Sequence, residues 1–243
     1  MTDLPKRFLT ARWEQLAMLN YEIEPSVLAP FVPEGTELDF WQGKTFVSMV
    51  GFRFLHTRVL GIPIPFHQNF DEVNLRFYVR RKTADDWQRG VVFIKEIVPR
   101  WAIAFTARNF YNEPYVALPM AHRLEREAAL MKSAEYSWRF EGRWNRLQVR
   151  LRGEPEFLAE GSEARFITEH YWGYNSQRDG STMEYRVEHP SWRAYEVTEA
   201  KLDCAVAALY GERFCDCLSR EPSSAFLAEG SAVTVYRGVR LAR

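Results

Sequence analysis

No stretch of the 243 residues is long and apolar enough to cross a bilayer as a helix. Net charge is also missing, since Lys+Arg 32 balances Asp+Glu 32. Without a net field, nucleic acid and acidic membrane surfaces are excluded as expected partners. The basic run Arg80, Arg81, Lys82 is followed by Asp85 and Asp86, which reads as a solvated strand end and turn. Cysteine is scarce. Cys204, Cys215 and Cys217 cannot all pair, and their spacing fits no zinc-ligand pattern, so reduced thiols on or near a C-terminal helix are expected. There is no glycine-rich phosphate loop, no nucleophile-elbow serine and no Cys–His pattern that spacing supports. No linker, repeat or low-complexity run divides the chain, so one domain over 1–243 is expected. The opening residues, MTDLPKRFLTARWEQL, are charged throughout and lack the apolar core of a signal peptide, and the expectation is a cytoplasmic protein.

Aromatic rings, in contrast, are plentiful. Phe 17, Tyr 11 and Trp 8 make up 15% of the chain, enough to fill a core and still line a pocket. After an N-terminal arm, Glu24–Ala29 reads as a helical turn with Pro25 at its first position. TELDFW and TFVSMVGFRFL, around Gln42-Gly43, predict a hairpin. DEVNLRFYVRR and QRGVVFIKEIV predict two strands joined near Asp85, and AIAFTARNF predicts another. EYSWRF and RLQVRL pair around Gly142, a short helix covers Glu163–Glu169, and TMEYRVEH follows the turn at Arg178-Asp179-Gly180. EAKLDCAVAALYGERFCDCL carries the one long helical pattern, with Leu202, Val206 and Leu209 on one face. SAVTVYRGVRL closes the chain as a strand. Strands dominate, so the predicted class is mainly β (α+β), a curved antiparallel sheet or barrel with a few short helices. The apolar loop VLGIPIPFHQNF is expected to rim a pocket, meet another subunit, or lie over the core.

The strand DEVNLRFYVR is the most informative. Val73, Leu75, Phe77 and Val79 share one face, and Glu72, Asn74, Arg76, Tyr78 and Arg80 share the other. The polar row either meets water or, in a barrel too wide to fill with side chains, lines a cavity. Asn74 favours the cavity, because asparagine gains nothing in an exposed strand but orients a ligand well. In VFIKEI, alternation puts Lys95 on the face of Phe93 and Ile97, which would let it serve as a cavity amine, but with no pKa-lowering neighbour in the sequence the expectation is an exposed tip with its stem packed on the sheet. His67, His170 and His189 have acceptable ligand types alongside Glu72, but no local spacing gathers them, so no metal site is expected. Glu188 and His189 are adjacent on a strand and point apart, which argues against a ready-made dyad.

LNYEIEPSVLAPFVPEGTELDFWQGKTFVSMVGF, PFHQNFDEVNLRFYVR, GVVFIKEIVP, ARNFYNEPYVALPM, EHYWGY and VEHPSWR together resemble the uncharacterised bacterial YqjF-like family (domain of unknown function 2071), itself a distant relative of acetoacetate decarboxylase. The resemblance implies strands curved around a small-molecule cavity, often in homo-oligomers. It also implies that Glu72 matches a cavity carboxylate of the decarboxylases, and that ARNFYNEPYV aligns with the segment bearing their lysine pair. Arg108 keeps the arginine and Pro114 the proline, but Tyr115 and Val116 replace both lysines, one of which forms the Schiff base in the enzyme. A tyrosine forms no imine, so that mechanism does not transfer. The expected site is Glu72, Arg108 and Tyr115 for chemistry, with His67 at the mouth and Asn74, Arg76, Tyr78, His170 and His189 as ligand contacts. The expected ligand is a small carboxylate or carbonyl compound, with no cofactor. If the protein is an enzyme, lyase or proton-transfer chemistry is expected; the alternative is a binding protein that kept the cavity and lost the amine.

Overall fold

The computed structural model describes residues 6–99 and 114–241. The expected strand AIAFTARNF, and Arg108 with it, lies outside the described residues.

Strands β1 (Arg7–Ile23), β2 (Glu37–Leu38), β3 (Thr45–Val59), β4 (Ile62–Pro63), β5 (Phe70–Lys82), β6 (Trp87–Val98) and β7 (Tyr115–Ala117) form the first half. The second half holds β8 (Met120–Glu127), β9 (Leu130–Phe140), β10 (Arg143–Phe157), β11 (Trp172–Ser176), β12 (Thr182–Glu188), β13 (Arg193–Asp203), β14 (Ser224–Tyr236) and β15 (Val239–Arg240). All belong to one mainly antiparallel sheet, in which β6 pairs parallel with β7 and β11. The order β12-β11-β6-β5-β3-β1-β14 is closed into a ring by a two-residue seam, Val187↔Val235 and Glu188↔Thr234. From β14 the sheet continues through β13, β10, β9 and β8.

The alternation in β5 explains the layering. Val73, Leu75, Phe77 and Val79 face outward from the ring, into a core shared with Tyr136 and Trp138 of β9 and Leu147 and Val149 of β10. The opposite face of β5 turns into the ring, where Tyr78 joins a second core with Phe46, Phe52 and Phe54 of β3. Strands buried on both faces carry apolar residues in near-continuous runs, as residues 45–52 of β3 do. At Gly51 the two layers approach closely: an added Cβ would sit 2.7 Å from Cδ2 of Tyr136. The ring core also packs against the short helix α2 (Glu163–Thr168), which among the described residues follows α1 (Pro25–Leu28).

Several expectations need correction. Residues 7–23 are no arm but a strand of 17 residues between β3 and β14. Arg12, Glu14 and a left-handed Gln15 (φ 51°), with register shifts on either side, hide its alternation. β2 pairs with β5 rather than β3, so only the bridge Trp41↔Lys44 remains of the expected hairpin. The long helical pattern begins as strand: Glu199–Asp203 pairs with β10, and only α3 (Val206–Tyr210) and α4 (Cys215–Leu218) are α-helical. The apolar loop after β3 covers no core, since Leu60, Ile62, Ile64 and Phe66 are exposed.

Candidate functional site

Inside the ring lies a cavity of about 220 Å³. Its polar wall comes from β5, β6 and β7, with Glu72, Asn74, Arg76, Glu96 and Tyr115, and His170 follows α2. Burying such groups is unfavourable unless they are hydrogen-bonded. Glu72, 2% exposed, accepts from Asn74 Nδ2 at 2.9 Å and from the Tyr115 hydroxyl at 3.2 Å. Tyr115 is placed by the parallel pairing of β7 with Glu96. Arg76 is different. Among the described residues its Nη2 has only Met18 Sδ within hydrogen-bonding reach, at 3.9 Å, its Nε is buried with no hydrogen-bond partner, and it forms no ion pair.

His170 is buried, and its Nε2 lies 3.1 Å from Oδ2 of Asp39, which also receives Arg89 Nε at 2.6 Å. Burial drives the His170 pKa down to about 4, and the neighbouring Arg89 pushes the same way, against the pull of Asp39. The neutral imidazole therefore carries its proton on Nε2, toward Asp39, and Nδ1 is a lone pair without a partner among the described residues. Burial works to raise the Asp39 pKa, but hydrogen bonds from His170 and Arg89 outweigh it and hold the carboxyl below its ordinary value. His189 is lowered as well, mainly by burial; its Nδ1 lies 3.0 Å from the Pro190 carbonyl and its ring stacks on Trp192 at 4.1 Å.

The other walls are apolar. β1 supplies Leu9, Trp13 and Leu16, β3 supplies Val50, Phe52 and Phe54, and Trp172, Val187, Trp192 and Val235 complete them.

The structure thus brings Glu72, Asn74, Arg76, Tyr115, His170 and His189 to one cavity. Tyr78 is one layer behind, its hydroxyl 2.6 Å from Ser48 Oγ and its ring 4.7 Å from that of His170. His67 does not line the cavity; its Nδ1 lies 2.8 Å from the Pro65 carbonyl within the loop. Lys95 faces the other way, donating to the Leu209 carbonyl with its ammonium 5.8 Å from the centre of the Tyr210 ring. Burial lowers its pKa there, with no cationic neighbour involved. The reason is a bulge in β6. Arg76 pairs with Phe93 but Leu75 pairs with Lys95, so Ile94 is an extra residue. Regular pairing would set Lys95 opposite Asn74, beside Phe93. The bulge instead sets Glu96 there, a cavity residue that sequence alternation misses.

A family model matches residues 10–232, that of an uncharacterized conserved protein family, domain of unknown function 2071. The chain belongs to this family. An uncharacterized relative, YqjF of Bacillus subtilis (strain 168), is 30% identical over 104 residues; the match covers 42% of this chain and 41% of the relative's length. Among solved structures, acetoacetate decarboxylase from Legionella pneumophila is similar with a TM-score of 0.66 at 13% identity, covering 98% of this chain and 90% of that one. An acetoacetate decarboxylase-like enzyme from Sphingomonas wittichii RW1 gives 0.67 at 12% identity, covering 97% and 93%. The enduracididine biosynthesis enzyme MppR, complexed with pyruvate, gives 0.66 at 9% identity, covering 99% and 92%. This member of the family therefore has the acetoacetate-decarboxylase-like fold: mainly β, a large sheet curved into a ring.

Proposed function

We propose that the cavity binds a small organic acid or carbonyl compound, with Arg76 receiving the carboxylate and the Glu72–Tyr115 pair handling a proton. The state of Arg76 carries this reading. It is a fixed cation in a cavity wall, with a buried Nε–H and no acceptor oxygen among the described residues. Leaving a buried donor unsatisfied costs about 1–3 kcal/mol. A carboxylate docked on the guanidinium fork relieves that cost with two charge-assisted hydrogen bonds. The pyruvate complex of MppR lends support in kind, as an acid bound by a protein of this fold.

In this reading Glu72 takes a proton from carbon beside a carbonyl, and the Tyr115 hydroxyl, exchanging its bond to Glu72 for one to the substrate, donates to the oxygen where negative charge develops. No step uses an amine. All six lysines of the chain lie in the described residues, and none lines the cavity. That observation also favours the second reading, a binding protein without catalysis.

Proton exchange separates the two. The protein is incubated in D2O with 2-oxo and 3-oxo acids and followed by proton NMR. Proton transfer predicts accelerated loss of the signal beside the carbonyl, reduced about 100-fold or more in Glu72→Gln. Arg76-dependent binding without exchange selects the binding protein. If no carboxylate binds in an Arg76-dependent way, both readings fall. Borohydride treatment with the same acids is expected to leave the intact mass unchanged, and an adduct on Lys95 would restore imine chemistry.

A further inference from the structure

Resting on the reading of the cavity as an acid site, we infer that its ligand is an arylalkyl carboxylic acid, one aromatic ring on a short acid arm, rather than a four-carbon keto acid. Size is the first argument. An apolar cavity of roughly 150 Å³ already accommodates benzene. At about 220 Å³, this one holds a ring and an acid arm, and a four-carbon acid leaves much of it unfilled.

The second argument is the segregation of the walls. Glu72, Asn74, Arg76, Glu96 and Tyr115 come from β5, β6 and β7 and His170 from the segment after α2, whereas every lining residue of β1 and β3 is apolar, with rings at Trp13, Phe52 and Phe54. Trp13 meets Phe52 edge-on at 5.4 Å and Phe54 at 5.7 Å, and Phe54 stacks on Phe70 at 4.6 Å with the planes 12° apart. Trp192 adds a further ring 6.3 Å from Trp13. Such a surface rewards an aromatic body through edge and face contacts that an aliphatic chain of equal length does not make. A short acid held on Arg76 would leave the cavity-facing surfaces of these rings without a ligand contact. A ligand polar at one end and aromatic at the other matches both walls at once.

The test uses isothermal titration and thermal shift at pH 7.5 with four probes: 3-phenylpropanoate, its neutral amide 3-phenylpropanamide, butyrate and acetoacetate. We expect 3-phenylpropanoate to bind roughly 10- to 100-fold more tightly than either four-carbon acid, the gain expected for burying the ring. The amide should bind at least tenfold more weakly than the acid. Arg76→Gln should abolish the preference for acid over amide, and Phe54→Leu should narrow the preference for the aryl acid over butyrate. Trp192→Phe is the second ring variant if Phe54→Leu does not fold. Acetoacetate or butyrate binding as tightly as 3-phenylpropanoate, with dependence on Arg76 retained, overturns the aryl assignment and leaves the acid site standing. Binding of both acids unaffected by Arg76→Gln overturns the acid site itself, and so does the absence of any binding.

Discussion

His170 is the residue with the largest consequence for pH. Its folded pKa of about 4 lies below the ordinary 6.5, because burial in the ring core disfavours the imidazolium. The unfolded chain therefore takes up the proton first as pH falls. Stability is complete above pH 6.5 and is lost progressively down to pH 4, by at most about 3 kcal/mol. Urea denaturation across this range should show the decline, and His170→Gln should remove most of it. A titration of His170 by NMR with a midpoint near 6.5 would contradict the buried neutral imidazole. Much of this site is legible in the sequence because β5 alternates cleanly: Glu72, Asn74 and Arg76 share a face by spacing alone. Asp39 and Arg89, which orient His170, were not legible. They are 131 and 81 residues away in sequence and meet it only through the fold.

Among elements, the decisive contact is between β3 and β9. Gly51 is required not by an unusual turn but by Tyr136, which lies across its Cα and donates to the Gln15 carbonyl at 2.8 Å. Gly51→Ala forces the fully buried ring to move and is expected to destabilise the protein by about 1–3 kcal/mol, measured as a lower urea midpoint at unchanged slope. Strands whose two faces differ, such as β5 and β10, follow from pattern. β1 does not, because its irregular backbone around Gln15 breaks the period of two. The stretch from Glu199 to Leu218 reads as helix because Leu202, Val206 and Leu209 keep helical spacing, but pairing with β10 takes its first residues. Tertiary pairing overrides local period there, and one sequence carries no sign of it.

On the scale of the molecule, the ring is only as strong as its closure. β1 and β3 share a long ladder from Leu9↔Val59 to Ile23↔Thr45, whereas β12 and β14 meet at two residue pairs. Local opening follows the weakest seam. Amide exchange should therefore be faster at Glu188 and Thr234 than in the centre of β1, whereas the Val187 amide is held by the Tyr171 carbonyl at 2.8 Å, away from the seam. Val187 and Val235 of the same seam line the cavity, so a bound ligand should slow exchange at Glu188 and Thr234 preferentially; equal exchange along seam and ladder would refute this. The bulge at Ile94 has a wider consequence. One surplus residue determines whether the ring interior presents a nitrogen or an oxygen opposite Asn74. Glu96→Lys should set a primary amine within the field of Arg76 and give a borohydride-stable adduct with acetoacetate that the parent protein does not form, read as a mass increase on that residue.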